Sequence, residues 1–321
     1  MKYVDLGGRK ASAIGLGVWQ FGSREWGWGR DLNESSARQI VHKALDAGIN
    51  FFDTAELYGQ GQSEEILGRA LAERREEALI ATKVTPSHLT RAAVLEAADR
   101  SLARLSIKSA DLYQVHWPNR FVPLRSTMSG MRELLDQGKV QQIGVSNYPL
   151  RLWQRAEREL GRPVIANQVQ FHVLDQQPMD FLLPYAQKQG RLIIAYSPLA
   201  QGVLGGRYDR GELPNDFRSS NPMFSGTNFE RVAPVLAEMR VLGRRYDATP
   251  AQIALAWLIH MPQVLAIPGA RSVDQVEENA LAADIDLSED EWQRLTDVAR
   301  SIQPKSGRRG WKRLAAWLMG A

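Results

Sequence analysis

Eight short apolar runs alternating with helical stretches limit this chain to a few architectures. The runs lie at 14–19, 49–53, 78–84, 111–116, 140–145, 164–169, 192–196 and 264–267. Brief apolar runs bounded by turn residues suit buried strands, and strands that alternate with helices form a parallel sheet. Eight such units closing on themselves make an α/β fold, the (β/α)8 or TIM barrel. A doubly wound open sheet is the other arrangement to weigh. Its Gly-x-Gly-x-x-Gly phosphate turn fails here, because Gln20 stands where a third glycine must follow Gly15 and Gly17.

Residues 2–15 read as an N-terminal β-hairpin turning at Gly7-Gly8. Asp31 with Glu34 three residues later predicts a capping box. It would begin a helix whose stripe is Ala37, Ile40, Val41, Ala44 and Leu45, ended by Gly48. Helices expected from Phe229, Thr249-Pro250 and Leu287-Ser288 supply extra C-terminal helices beyond the repeating units. No linker or low-complexity stretch interrupts the chain, so residues 1–321 are expected to form a single domain with a basic tail at 304–321. In that tail Trp311, Leu314, Ala315 and Leu318 share one helical face, which predicts a terminal helix docked on the barrel. An amphipathic segment lying on an anionic membrane surface is the alternative.

Composition excludes several classes of chemistry. A chain of 321 residues with 44% hydrophobic and 24% charged residues can bury a full core. It has no cysteine, which removes disulfides, thiolate metal sites and a cysteine nucleophile together. The five histidines show no metal-ligand spacing, so no metal is expected. No Gly-x-Ser-x-Gly elbow supports a serine hydrolase. A net charge of +4 is too slight to point to nucleic acid. Lys2, Asp5, Arg9 and Lys10 interrupt the start of the chain, unlike a signal peptide. No run of about 18 apolar residues predicts a membrane span, and the cytoplasm is the expected compartment.

The stretch from Gly48 to Leu71 concentrates the polar signal. Ile49, Phe51 and Phe52 form a strand that stops at Asp53, and Tyr58 sits in the glycine-rich loop that follows. Ser63 is expected to cap the next helix, with Glu64 and Glu65 at the positive end of its dipole. Other strand ends carry Lys83, His116, Ser146-Asn147, Gln168 and Tyr196. Singly these have ordinary explanations: Lys83 as a snorkelling strand end, Tyr58 as loop packing. A barrel sets all of them around one mouth, where (β/α)8 enzymes work.

These residues lie within motifs that resemble the aldo-keto reductases. The motifs are Asp-Thr-Ala-Glu-Leu-Tyr-Gly (53–59), Ala-Thr-Lys-Val (81–84), Leu-Tyr-Gln-Val-His-Trp-Pro (112–118), Ile-Gly-Val-Ser-Asn-Tyr (143–148), Tyr-Ser-Pro-Leu-Ala (196–200) and Ile-Pro-Gly-Ala-Arg-Ser (267–272). They follow that family's order from Ile14 to about Asn279, near its bacterial and potassium-channel β-subunit branches. The resemblance implies a barrel holding NADPH/NADP+ across its mouth, with Asp53, Tyr58, Lys83 and His116 as the catalytic set. Carbonyl reduction needs a hydride to carbon and a proton to oxygen. Tyrosine, with an unperturbed pKa of about 10, is a poor acid, and a neighbouring lysine ammonium favours its phenolate. Asp53 can orient that lysine, and His116 can donate to the carbonyl oxygen.

By the same resemblance, Ser146, Asn147 and Gln168 correspond to the group that binds the nicotinamide amide, and Tyr196 to the ring that stacks on it. Trp19 borders cofactor and substrate. Ser197, Leu199, Gln201, Gly202 and Gly269 join the cofactor set, and Arg207 matches a pyrophosphate partner. Arg271 and Ser272 stand where the family grips the adenosine 2′-phosphate, with Gln275, Glu278 and Asn279 on the adenine side. A second arginine that many relatives carry near Gln275 is absent. Trp19, Trp26, Trp28 and Trp117 are expected to line a pocket for a small carbonyl substrate, apolar or aromatic in character; the sequence leaves the oligomeric state open, with a monomer favoured. The alternative is an NADP(H)-binding regulatory barrel like the channel β-subunits.

Overall fold

The computed structural model describes residues 1–206, 218, 224 and 226–302. Strands β1 (Tyr3–Leu6) and β2 (Arg9–Ser12) form the antiparallel hairpin. Eight parallel strands follow, each paired with the next in sequence. They are β3 (Leu16–Gly17), β4 (Phe51–Asp53), β5 (Leu79–Val84), β6 (Ala110–Val115), β7 (Val140–Ser146), β8 (Ala166–Gln170), β9 (Leu192–Tyr196) and β10 (Val264–Ala266). The ring closes where the Gly15 amide donates to the Ala266 carbonyl and the Ala266 amide to the Ala13 carbonyl, both at 2.8 Å. The result is the (β/α)8 barrel that the alternation predicts. Closure leaves the eight-stranded sheet without an open edge.

Helices α1 (Glu34–Asp46), α2 (Gln62–Leu71), α3 (Arg91–Leu105), α4 (Leu124–Asp136), α5 (Leu150–Leu160) and α6 (Pro178–Gln189) each follow one of β3 to β8. Between β9 and β10 come α7 (Gly226–Tyr246) and α8 (Pro250–Ile259), and α9 (Val273–Leu281) and α10 (Glu289–Ser301) complete the described chain. The contact of α7 with α10 adds helices outside the repeating pattern. Helix α5 had no counterpart in the sequence expectation, although Trp153, Ala156 and Leu160 recur at helical spacing and are buried. The tail at 304–321 lies outside the described residues. No described helix is long and apolar enough to cross a membrane.

Side-chain alternation divides the core into two shells. Successive residues on a strand point to opposite faces. Phe52, Ile80, Tyr113, Ile143 and Ile193 therefore join the helices in the outer shell. Phe51, Leu79, Ala81, Leu112, Leu192 and Leu265 fill the lumen, and Leu6 and Ala11 from the hairpin join that inner cluster. The apolar plug occupies the N-terminal portions of the strands. Polar inward residues are thereby left for the C-terminal portions.

Two expected caps differ from those observed. Helix α1 is capped by Asn33 with Ser36 in a reciprocal capping box, so Asp31 takes no part. Helix α2 has Gly61 at its N-cap, with no capping side chain. Ser63 is instead buried inside the helix, donating to the Val18 carbonyl at 2.8 Å and accepting from Thr54 at 2.9 Å. Glu64 is also buried, paired with Arg104 of α3 at 2.6 Å and accepting from Thr82 of β5 at 2.5 Å. Burial pushes its carboxyl above the ordinary value, and the Arg104 charge offsets part of that rise. Tertiary partners claim both side chains because each has a stronger use inside than at a solvated helix end.

Helix α2 touches α3 at Gly68, where a Cβ would lie 2.6 Å from the Leu105 carbonyl oxygen and 2.8 Å from its carbon. Backbone on both sides leaves nothing to rotate away. Gly68→Ala therefore gains up to about 1 kcal/mol of helix propensity but incurs overpacking of about 1–3 kcal/mol. A net loss of stability is expected in chemical denaturation.

Candidate active site

Strand parity delivers the polar groups to one end of the lumen. On β5 the inward series Leu79, Ala81 ends in Lys83, and on β4 Phe51 is followed by Asp53. On β6 Leu112 leads to Gln114 and then to His116 just beyond the strand, and on β8 Ala166 leads to Gln168. Lys83 is fully buried and Asp53 nearly so.

An ammonium carries three donors, and all three of Lys83 are used. Nζ donates to Asp53 Oδ1 at 2.5 Å, to the Thr54 carbonyl at 2.8 Å and to the Tyr58 hydroxyl oxygen at 3.2 Å. Asp53 Oδ2 accepts from Gln168 Nε2 at 2.8 Å and from Gln114 Nε2 at 3.2 Å. Burial opposes the charge on Lys83, but Asp53 and then Tyr58 outweigh it and hold the ammonium above its ordinary value. Tyr58 differs from the simple expectation of an acidified phenol. Burial raises it, and the Lys83 charge cancels only part of that rise. The phenol therefore keeps its proton at neutral pH. Because its oxygen accepts from Lys83, its own O–H is left to donate elsewhere.

His116 stands edge-on to Tyr58 with ring centroids 5.6 Å apart. Burial, then the Lys83 charge, push its imidazole well below the ordinary histidine value, so it is neutral. Its Nδ1 is buried without a hydrogen-bond partner among the described residues. Trp19 lies 6.0 Å from the Tyr58 ring and 5.3 Å from Trp26.

A second polar group is tied to the first. Ser146 Oγ donates to the Gln168 carbonyl at 2.9 Å. Asn147, at φ 62°, donates to Ser146 Oγ at 2.9 Å and to the His116 carbonyl at 3.3 Å, and accepts from the Tyr196 hydroxyl at 3.0 Å. Asparagine tolerates the left-handed region better than most residues.

A cavity of about 460 Å³ collects these residues. Asp53, Tyr58, His116, Trp19, Trp26 and Trp117 line it, as do Ser146, Asn147, Gln168 and Tyr196. So do Ser197, Leu199, Gln201, Gly202 and Gly269, and finally Arg271, Gln275, Glu278 and Asn279. Lys83 is not on the wall, but its partners Tyr58 and Asp53 are. Two expected lining residues are absent from the wall. Trp28 packs against Phe21, 6.1 Å between ring centroids, and Ser272 caps α9 by accepting from the Gln275 amide at 3.3 Å. Arg207 lies outside the described residues.

Several side chains near Arg271 are already engaged. Gln275 Oε1 accepts from the Arg271 amide at 2.7 Å, and Thr249 donates to Glu278 at 2.6 Å. Sequence reasoning missed Gln114 and Gln20. Gln20 is buried and donates to the Ala270 carbonyl at 2.7 Å, bracing the loop after β10. Gln114 carried a readable signal, a polar residue in an apolar strand with the same parity as His116.

A family model for the aldo/keto reductase family matches residues 13–300. An uncharacterized oxidoreductase of Mycobacterium tuberculosis is 48% identical over 307 residues, covering 95% of each chain. The NADH-specific methylglyoxal reductase of Escherichia coli is 30% identical over 94% of this chain and all of its own. A solved aldo-keto reductase of Klebsiella pneumoniae in complex with NADPH is 31% identical, with a TM-score of 0.75 over 94% of this chain and 95% of that one.

Lys83→Met leaves Asp53 buried without its ion-pair partner, an arrangement that costs about 3–5 kcal/mol. A lowered melting temperature is expected. The folded Lys83 value lies above the ordinary one, so its contribution is complete at neutral pH and is lost as the pH rises through that elevated value. The melting difference between wild type and Lys83→Met should therefore narrow only in strong alkali. A difference that shrinks between pH 6 and 8 contradicts this.

Proposed function

The chain belongs to the aldo/keto reductase family, and on that footing we propose that it reduces an aldehyde or ketone to the alcohol, reversibly, with NADPH. The observation that carries the reading is the Tyr58 hydroxyl oxygen, 3.2 Å from a buried ammonium and exposed to the same cavity as a neutral His116. When bound, the nicotinamide supplies and recovers the hydride.

The chain's own residues handle the rest. A neutral imidazole offers one N–H, and His116 holds the substrate oxygen with it near Tyr58. As the carbon gains hydride, the carbonyl electron pair moves to oxygen, which takes the Tyr58 proton. Lys83 stabilises the phenolate left behind, and Asp53 keeps Lys83 charged and aimed. Solvent then returns the proton to Tyr58. Trp19, Trp26 and Trp117 suit an apolar or aromatic carbonyl and shield the reacting oxygen from water.

The polar wall also fits the cofactor. Ser146, Asn147, Gln168 and Tyr196 would hold the nicotinamide end, and Arg271 the adenosine phosphate. Arg271 Nε is buried with no partner among the described residues, a donor suited to an anion. The NADPH-bound Klebsiella relative supports this choice of cofactor, while the Escherichia coli relative carries the name NADH-specific. A purely regulatory barrel needs no proton donor against a buried ammonium.

Tyr58→Phe removes the proton donor and keeps the ring. General acid catalysis contributes about 10²–10⁴-fold, so carbonyl-dependent NADPH consumption should fall by at least about 100-fold. NADPH affinity, followed by tryptophan quenching, should stay within about twofold. Turnover near wild type assigns the proton to another group.

A further inference from the structure

The side chain proposed above to receive the adenosine phosphate already has an anionic partner. Arg271 Nη2 donates to Asp31 Oδ2 at 3.0 Å, joining residues 240 apart in sequence. Asp31 belongs to the loop between β3 and α1, and Arg271 to the loop between β10 and α9. The Gly27 carbonyl organises the contact, accepting from the amides of Arg30 and Asp31 at 3.1 Å and of Leu32 at 3.3 Å. Gly27 has φ 89°, and a Cβ there would lie 2.9 Å from Arg271 Nη2 and 3.2 Å from Asp31 Oδ2. The positive φ favours glycine there, and a side chain would displace the ends of both partners. Arg271 lines the cavity, as does Trp26 from the loop that carries Asp31.

We propose that Asp31 is a specificity-determining residue: it competes with the 2′-phosphate of NADPH for Arg271 and offers NADH an acceptor in its place. The inference rests on the reading of Arg271 as the adenosine-phosphate residue. An arginine fork binds phosphate well, whereas a carboxylate accepts a hydrogen bond from a ribose 2′-hydroxyl, the usual division between phosphorylated and unphosphorylated dinucleotides. Here both groups stand 3.0 Å apart. Asp31 repels a 2′-phosphate and occupies one edge of the guanidinium, leaving Nε unpartnered among the described residues. With no second arginine near Gln275, Arg271 has little reserve against that competition. The pair is solvent-facing, with Asp31 70% and Arg271 36% exposed, so Arg271 can be released at small cost. The arrangement therefore narrows the preference for NADPH and keeps NADH usable.

The test is equilibrium binding of NADPH, NADH, 2′-phospho-ADP-ribose and ADP-ribose to the full-length protein, wild type against Asp31→Asn, Arg271→Ala and the double variant. Asp31→Asn should bind both phosphorylated ligands about 1.5- to fivefold more tightly, the size expected of one exposed charge pair. The unphosphorylated ligands should hold constant or weaken. The gain should shrink in high salt and vanish in the Arg271→Ala background. If Asp31→Asn leaves phosphorylated ligands unchanged while Arg271→Ala weakens them selectively, the role of Asp31 is overturned and the adenosine reading stands. If Arg271→Ala weakens all four ligands equally, both fall.

Discussion

The ion pair between Lys83 and Asp53 is the constraint around which the lumen is arranged. A lysine with no solvent exposure is tolerable only when its charge is matched and every donor is used. Asp53, the Thr54 carbonyl and Tyr58 meet that requirement from one neighbouring strand and its loop. Gln114 and Gln168 then meet the requirement of Asp53 from two further strands. Four strands thus hold one charge pair, and the pair fixes how Tyr58 meets the cavity. A shift of any of these strands by one residue would turn its polar group into the helix layer.

The same arrangement separates electrostatic duties within a small volume. Burial keeps Tyr58 protonated and His116 neutral, while Asp53 keeps Lys83 charged. A proton donor, a neutral hydrogen-bond donor and a fixed cation therefore coexist at neutral pH. Neighbouring groups with values pushed apart are the pattern expected of acid–base chemistry. Only Tyr58 and His116 of that trio line the cavity. The cation acts through the tyrosine, so its charge is never presented directly to bulk water.

Local sequence signals served well where solvent or turn geometry decides and failed where tertiary partners compete. Thr90, Thr249 and Ser288 each accept from a first-turn amide of the helix they begin, and the Thr249 hydroxyl caps its helix while donating to Glu278. Asp31 and Ser63 have capping chemistry too, yet Arg271 claims the first and Val18 with Thr54 the second. Trp28 illustrates the same limit. Its indole was as eligible for the cavity as that of Trp26, but the turn at Gly27 directs it against Phe21.

The sequence by itself determined the class of fold and the identity of the candidate catalytic group. Eight buried strands alternating with helices have few ways to close, and polar residues ending apolar strands must gather at one rim. Asp53, Lys83 and His116 were legible as part of that rim with Tyr58 just beyond it, and the resemblance to the aldo-keto reductases singled out these four. Tertiary structure alone decided how the charges are shared: that Gln114 completes the shell of Asp53, that burial outweighs Lys83 in setting Tyr58, and that Asp31 meets Arg271. Each of these depends on which side chains become neighbours across hydrogen-bonded strands or distant loops. Desolvation and Coulomb terms follow distance and burial, and no local pattern encodes either.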